Sequence, residues 1–235
     1  MNLVLFEPDE LAGPLPRTDA RAKHIVDVLR RRPGETFDTG LVNGPLGKAT
    51  VVNLSAGELT LAFAWNPPLP PLPTTTLLIG LPRPQTARDV LRDATTLGAT
   101  QIHFVGTERS DPNYAASALW SSGEWRRHCL AGAAQAFDTR IPEVTWSGTL
   151  PAALAALTPG GRRLAPDNYE ATAALQTCRP TDDTSLVLAL GPERGWGAAD
   201  RGQLRAAGFT LVHLGTRVLR LETAVVAALA VTRAG

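Results

Sequence analysis

The 235-residue sequence lacks the features that define several protein classes. Its only two cysteines, Cys129 and Cys178, are far apart and follow no metal-ligand spacing, so we expect two free thiols and no disulfide framework. The longest apolar runs, such as residues 77–81 and 224–231, are too short to span a bilayer. Residues 1–6 do not resemble the start of a signal peptide. We therefore expect a cytoplasmic protein.

The sequence also lacks an excess of charge of either sign, with 23 Lys and Arg against 22 Asp and Glu. A net charge of +1 argues mildly against a nucleic-acid-binding protein, which is more often clearly basic. Positive charge is clustered locally, however. The cluster consists of Arg17, Arg21, Lys23, Arg30, Arg31 and Arg32. It is either a solvated helix face or a surface that contacts phosphates.

Two familiar kinds of site are not indicated. The histidines are scattered and have no short ligand spacing, so no metal site is predicted; they are His24, His103, His128 and His213. Residues 44–50 superficially resemble a phosphate-binding loop, but two residues separate the glycines where that motif has four. We interpret this segment as a β-turn between two strands.

A proline-rich segment divides the chain. Residues 66–73 contain five prolines, which remove backbone donors and predict a stiff linker between domains at 1–68 and 74–235. One helix is predicted before the linker, with Thr18 as its N-cap and with Ile25, Val28 and Leu29 on its apolar face. Short strand-like segments separated by turn signals predict a small β-barrel around it. They are residues 3–6, 36–39, 48–54 and 59–64.

After the linker, apolar runs alternate with amphipathic segments. The predicted strands are residues 76–81, 101–105, 162–165, 185–190 and 210–214. The predicted helices are residues 86–97, 124–137, 198–206 and 221–232. Nearly continuous apolar strands between helices indicate an α/β domain with a parallel sheet covered on both faces.

Two loops follow predicted strands, at the edge where open parallel sheets bind their ligands. Residues 190–197 read LGPERGWG and residues 214–224 read LGTRVLRLETA. Glycine allows the backbone to approach a ligand closely, and proline stiffens the turn. Each loop alone is compatible with an ordinary strand-to-helix turn. The nearby Arg217, Arg220 and Glu222 favour a site.

Together, GPERGW and LGTRVLRLETA resemble the paired signature of the SPOUT class of trefoil-knotted methyltransferases, and in particular its RsmE-type family. Residues 24–30 resemble the helix H-x-x-x-V-L-R of that family, residues 107–110 match its T-E-R-S element, and residues 135–144 align with Q-S-G-R-x-x-V-P-x-I. The sequence departs from the family pattern at four places. Arg194 replaces a glycine of the first motif, Gly197 stands where a serine or threonine is usual, and Asp138 occupies the position of the arginine in Q-S-G-R, with Arg140 two residues on. Residues 92–98 resemble the Q-K-A-T-E-L-G of the family with its lysine and glutamate lost. These departures indicate a divergent branch whose RNA-facing residues have changed.

The resemblance implies a PUA-like RNA-binding β-barrel followed by an α/β domain with a deep trefoil knot, and a homodimer. It also implies S-adenosylmethionine as cofactor and N3-methylation of a uridine in 16S (small-subunit) ribosomal RNA. The cofactor residues are then expected to be Leu190, Gly191, Pro192, Glu193, Gly195, Leu214, Gly215, Val218, Leu219 and Thr223. The expected RNA contacts are the basic cluster and Arg109.

Uridine N3 carries a proton, so the reaction needs a base or a cation that stabilises the resulting anion. Arg220 is the candidate cation, and Glu222 the candidate for positioning or proton acceptance. The alternative is an internal Arg220–Glu222 ion pair that anchors the last helix. Two other functions remain open: a different RNA methylation, such as ribose 2′-O transfer or another ribosomal base, and a non-catalytic RNA-binding protein of ribosome assembly.

Overall fold

The computed structural model describes residues 3–180 and 185–233, which form two compact units. The first unit comprises Met1–Pro71 with Ala133–Ile141, and the second comprises Leu72–Gly132 with Pro142–Gly235. The chain changes unit inside the proline-rich segment, which contains neither helix nor strand. The inclusion of Ala133–Ile141 in the first unit was not anticipated from the sequence.

The first unit is built on a curled five-stranded sheet with the order β1-β3-β4-β5-β2. Strands β1 and β3 are parallel, and the other neighbours are antiparallel. Its core is formed by large apolar side chains, among them Phe6, Ile25, Phe37 and Leu59. The elements are β1 (Val4–Phe6), a 3-10 helix (Pro8–Ala12), β2 (Leu15–Pro16), α1 (Ala20–Lys23), a π-helical turn (His24–Val28), β3 (Thr36–Leu41), β4 (Leu46–Leu54) and β5 (Glu58–Trp65).

Two details of the predicted helix were wrong. Asp19, not Thr18, is the N-cap, and its side chain accepts a hydrogen bond from the Arg21 backbone N–H at 2.7 Å. Val28 is 65% exposed, whereas Ile25 is fully buried. The cause is the π-helical turn, in which the Leu29 N–H bonds the His24 carbonyl five residues back. This wider turn rotates the following residues away from the face expected for an α-helix.

The loop between β3 and β4 is a turn at residues 42–45, so the turn predicted for residues 44–50 was right only at its start, and residues 46–50 belong to β4. Asn43 adopts a positive φ of 55°, and the Gly44 N–H donates to the Leu41 carbonyl at 2.8 Å. The same turn binds Thr139, whose hydroxyl donates to the Gly44 carbonyl at 2.6 Å. These bonds explain why Ala133–Ile141 belongs to the first unit.

The second unit is an α/β domain whose seven-stranded sheet has the order β10-β12-β9-β11-β6-β7-β8. All six neighbouring pairs are parallel, which confirms the predicted parallel sheet. The strands are β6 (Thr75–Gly80), β7 (Gln101–Gly106), β8 (Glu143–Thr149), β9 (Arg162–Pro166), β10 (Ala173–Ala174), β11 (Leu186–Leu190) and β12 (Thr210–His213). The helices are α2 (Pro84–Thr96), α3 (Ala118–Ser121), α4 (Glu124–Gln135), α5 (Leu150–Ala156), α6 (Leu175–Cys178), α7 (Ala198–Ala206) and α8 (Leu221–Arg233).

The predicted strands and helices of this unit all occur, but the sequence did not indicate six further elements within the described ranges: α3, β8, α5, β10, α6 and a 3-10 helix at Pro112–Ala116. Strand β8 carries mostly polar and small residues, and β10 has only two residues, so neither shows an apolar run. Both cysteines are free, as predicted. Across the described residues, no helix combines the length and the apolar character that a membrane span requires.

Candidate functional site

A cleft lies at the carboxyl ends of three neighbouring strands, β9, β11 and β12. The loops after β11 and β12 are the two glycine-containing loops singled out in the sequence, and the loop after β9 forms a third wall. Strands β9 and β11 are direct neighbours in the sheet, as are β9 and β12. The strand order therefore brings together loops that are about 20 residues or more apart in the sequence.

Eight of the ten predicted cofactor residues line this cleft. They are Leu190, Gly191, Pro192, Glu193, Gly195, Leu214, Val218 and Leu219. The other two, Gly215 and Thr223, are not among its lining residues. A Cβ at Gly215 would meet no atom of the described residues within 4 Å, and Thr223 is exposed on the first turn of α8. Gly215 instead allows the loop to turn, at a φ of +112°.

The loop after β11 is folded tightly on itself. The Gly195 N–H donates to the Pro192 carbonyl at 2.7 Å, and Gly195 has a φ of +70°. A Cβ added to Gly191 would lie 2.8 Å from both the Gly195 carbonyl carbon and the Trp196 nitrogen. Only glycine therefore fits at Gly191, and the tight turn presents main-chain groups directly to the cleft.

Sequence reasoning missed the loop after β9. Pro166, Asp167, Asn168 and Tyr169 line the cleft opposite the other two loops. The segment contains no glycine and no motif that distinguishes it from an ordinary turn. The available signal was its position directly after a predicted strand, but only the observed strand order shows that this strand lies between β11 and β12.

Arg220 and Glu222 line a depression that adjoins the cleft. The two share Glu193, Val218, Leu219 and Leu221. Arg220 directly precedes α8, and its carbonyl accepts the Ala224 N–H at 2.8 Å. Its side chain is exposed and makes no hydrogen bond or ion pair within residues 3–180 and 185–233. The alternative of an Arg220–Glu222 ion pair is therefore not what the structure contains, and the guanidinium is available to a ligand.

A third depression also includes Glu193 and is lined by Arg83, Arg109 and Arg194, with Tyr114 and Asp111. Glu193 is held there by Arg83, whose backbone N–H donates to its carboxylate at 3.0 Å. Arg109 donates from Nη1 to the Arg194 carbonyl at 2.8 Å. The Arg194 side chain is exposed.

The glycine at position 197 is explained by Glu108, which belongs to the T-E-R-S element. The Glu108 carboxylate accepts the Ala199 N–H at 3.2 Å and occupies the space that a Cβ at Gly197 would need. The Gly197 N–H is bound by Asp200 at 2.9 Å. Two carboxylates thus cap the start of α7 in place of the serine or threonine typical of the motif.

The basic cluster of the first unit divides into paired and unpaired side chains. Arg21 is bound by Glu10 and by Asp19 at 2.6–2.8 Å and stacks over Phe6. Its hydrogen bonds lower the pKa of both carboxyl groups. Arg17 lies 4.0 Å from Asp27. The remaining members lack an ion-pair partner among the described residues; they are Lys23, Arg30, Arg31 and Arg32.

Comparison with known proteins gives the family. Residues 70–233 match the RNA methyltransferase domain family. The chain belongs to this family. The chain is also 34% identical to ribosomal RNA small subunit methyltransferase E of Treponema pallidum, over all of this chain and 91% of that protein. It is 30% identical to the protein of the same name from Synechocystis, over 97% of this chain and 76% of that protein.

A solved structure supports the same relationship. The ribosomal RNA small subunit methyltransferase E of Neisseria gonorrhoeae, in a crystal structure bound to S-adenosyl methionine, is 25% identical to this chain. The two share a TM-score of 0.79 over 100% of this chain and 97% of that one. A probable rRNA-methyltransferase from Porphyromonas gingivalis, 18% identical with a TM-score of 0.79, shares the fold. The resemblance noted in the sequence is thus confirmed over the whole chain.

Proposed function

We propose that this member of the family is an S-adenosylmethionine-dependent methyltransferase that acts on N3 of a uridine in 16S (small-subunit) ribosomal RNA. The observation that carries the proposal is the convergence of both signature loops on one cleft, beside an Arg220 side chain that has no partner among the described residues. A relative that matches this chain over its full length is named a methyltransferase of small-subunit ribosomal RNA. Another protein of that name has been crystallised with S-adenosyl methionine.

The cleft fits this cofactor. Gly191 and Gly195 leave main-chain groups exposed without a side chain between them and a ligand, and Leu190, Leu214 and Leu219 supply apolar walls. These residues would hold S-adenosylmethionine, which supplies a methyl group on a positively charged sulfur. The apolar walls also limit the contact of water with that group.

The protein's own contribution to the chemistry is positioning and charge. Methyl transfer requires the nucleophile to be aligned with the methyl group. Arg220 stabilises the negative charge that develops over N3 and its flanking carbonyl groups when the N3 proton leaves. Glu222 either accepts that proton or positions the uracil. Both side chains line the depression that adjoins the cleft, so the target base would enter from that side.

RNA is held in part by the first unit, which we propose to be a PUA-like barrel. Its cations without an ion-pair partner in the described part of the chain bind phosphates, with Arg17 beside them; they are Lys23, Arg30, Arg31 and Arg32. Arg21 contributes less, because Glu10 and Asp19 already occupy its guanidinium.

A triple Arg30→Ala, Arg31→Ala, Arg32→Ala variant is expected to bind ribosomal RNA more weakly, because fewer counterions leave the RNA when fewer of its phosphates are neutralised. The slope of log affinity against log salt should become shallower by about 0.7–0.9 for each phosphate that the variant no longer neutralises. Fluorescence anisotropy over a salt series measures this slope, with Lys48→Ala, which removes a cation paired with Asp38, as control. An unchanged slope would assign the cluster to a solvated helix face.

In the second unit, Arg109 with Arg83 and Arg194 forms the RNA-facing side of the third depression. Arg194→Gly restores the residue typical of the motif, so the loop should tolerate it. We expect the salt slope of RNA binding to become shallower by about 0.7–0.9, the value for one phosphate, and the affinity for the cofactor to stay unchanged. Anisotropy measures the salt slope and calorimetry measures the affinity for the cofactor. A loss of cofactor affinity with an unchanged salt slope would contradict a role of Arg194 in RNA binding.

The deep trefoil knot, the homodimer and the cytoplasmic location also belong to this proposal. The family resemblance supports the knot and the dimer. Val218 and Val226 are exposed apolar side chains, which a second copy of the chain would cover. Light scattering after size-exclusion chromatography tests the dimer.

Transfer of a tritiated methyl group from S-adenosylmethionine to purified small ribosomal subunits tests the activity. We expect incorporation into the RNA, at a site that nucleoside analysis then names. Incorporation as a 2′-O-methyl ribose or into another base would show that the protein catalyses a different RNA methylation. A protein that binds RNA but neither binds the cofactor nor transfers the methyl group would be the non-catalytic assembly factor.

A further inference from the structure

The cleft wall formed after β9 depends on a buried ion pair. Asp167 and Arg201 meet with Nε and Oδ2 2.8 Å apart, and their side chains are only 2% and 6% exposed. The second oxygen of Asp167 accepts the backbone N–H groups of Tyr169 and Glu170 at 2.8 and 2.6 Å. Arg201 on α7 therefore fixes Asp167, and Asp167 fixes the backbone of the loop.

Arg201 also supports the side chain at the tip of this loop. Its guanidinium carbon lies 5.1 Å from the centre of the Tyr169 ring, within the range of a cation–π contact. Arg201 Nη2 has no hydrogen-bond partner within the described ranges, in keeping with a guanidinium that packs against a ring. Tyr169 itself is 73% exposed and lines the cleft. A large, mostly exposed aromatic side chain is thus supported on one side by Arg201.

Tyr169 faces the turn after β11. A Cβ built at Gly195 would lie 3.9 Å from Cε2 of Tyr169, so the ring stands directly opposite the glycine turn. An exposed ring that packs on a guanidinium, across from an open main-chain surface, suits a flat aromatic ligand group. The proposed cofactor carries one such group, its adenine.

We propose that Tyr169 is the wall against which the cofactor's adenine packs and that Arg201 is a positioning residue that holds Tyr169 in place. This inference rests on the proposed function, because it takes S-adenosylmethionine as the ligand of the cleft. Arg201 acts through Tyr169 and Asp167 and does not contact the ligand.

The test measures binding of S-adenosylhomocysteine to the full chain by calorimetry, without RNA. Tyr169→Ala should weaken binding by about 10- to 100-fold, the range for loss of stacking on an aromatic side chain, and Tyr169→Phe should retain it. Because Tyr169 is largely exposed, neither variant should change the melting temperature appreciably. Adenosine should show the same dependence on Tyr169, which identifies the adenine as the group concerned.

Arg201→Lys tests the positioning role, since lysine can still pair with Asp167 but cannot lie flat against the ring. We expect weaker binding in the parent background and no further loss when Tyr169→Ala is already present. Arg205→Lys is the matched control, because Arg205 lies on the same helix and pairs only with Glu170 among the described residues. If Arg201→Lys does not fold, Arg201→Gln, with its planar uncharged amide, replaces it.

Three outcomes would overturn this inference. They are parental binding of S-adenosylhomocysteine by Tyr169→Ala, weakening of RNA binding alone by Tyr169→Ala, and an equal loss of affinity from Arg201→Lys in both backgrounds. The second outcome would mean that Tyr169 contacts the RNA rather than the adenine. The third would mean that Arg201 acts only as a structural ion-pair partner of Asp167. Failure of the parent chain to bind S-adenosylhomocysteine would instead contradict the proposed function.

Discussion

An Arg220→Ala variant is expected to lose about 10²–10³-fold in turnover, with little change in its affinity for cofactor or RNA. Arg220 is unpaired within the described residues and lines the depression next to the cleft, so its charge is available to the uracil anion. An interaction made mainly in the transition state lowers kcat and kcat/KM together. Single-turnover methylation of small subunits, combined with calorimetry, measures both effects.

The structural alternative for Arg220 makes a different prediction. If the side chain only anchored α8, the alanine variant would melt earlier and its folded fraction would methylate at the parental rate. We expect an unchanged melting temperature, because Arg220 is exposed and its side chain has no partner in the described part of the chain. Arg127→Ala removes another exposed cation of the second unit and serves as the control.

A Gly191→Val variant is expected to lose cofactor binding by at least about 100-fold, equivalent to about 2.7 kcal/mol. The added Cβ would lie 2.8 Å from the backbone of Gly195 and Trp196, so the turn between them must open. Opening the turn displaces the main-chain groups that face the cleft. Calorimetry with S-adenosylmethionine measures the loss, and circular dichroism shows whether the variant is folded.

Two other glycines make this test specific. Gly202 on α7 has open space around it, so Gly202→Ala should fold and bind the cofactor like the parent. Gly215 also has open space but a φ of +112°, which a valine rarely adopts. Any loss of cofactor affinity in Gly215→Val should therefore come from strain in the backbone of the loop, because the valine side chain would not fill the cleft. A folded Gly191→Val protein with parental affinity would remove the loop after β11 from the cofactor site.

The sequence predicted those parts of the site whose structure depends on residues that are neighbours in the chain. The apolar strand 186–190 followed by glycine and proline indicated a ligand loop, and the helix at residues 198–206 was found at its observed bounds. The sequence could not decide between an unpaired Arg220 and an Arg220–Glu222 ion pair, because it does not show which charges meet.

The parts that were missed depend on contacts between distant residues. Tyr169 faces the cleft because β9 lies between β11 and β12, which no local pattern shows. Gly197 is explained only by the carboxylate of Glu108, which lies in a different loop far earlier in the chain. Val28 was misplaced because a π-helical turn changes the helical phase without a distinctive sequence signal.

The central claim is most directly tested by nucleoside mass spectrometry of 16S ribosomal RNA from a strain in which the gene for this chain has been deleted. We predict that N3-methyluridine disappears from this RNA, that expression of the parent chain restores it, and that Arg220→Ala restores it poorly. Loss of a 2′-O-methyl or another base methylation would keep the methyltransferase but change its target. An unaltered set of methylated nucleosides in the deletion strain would contradict the account.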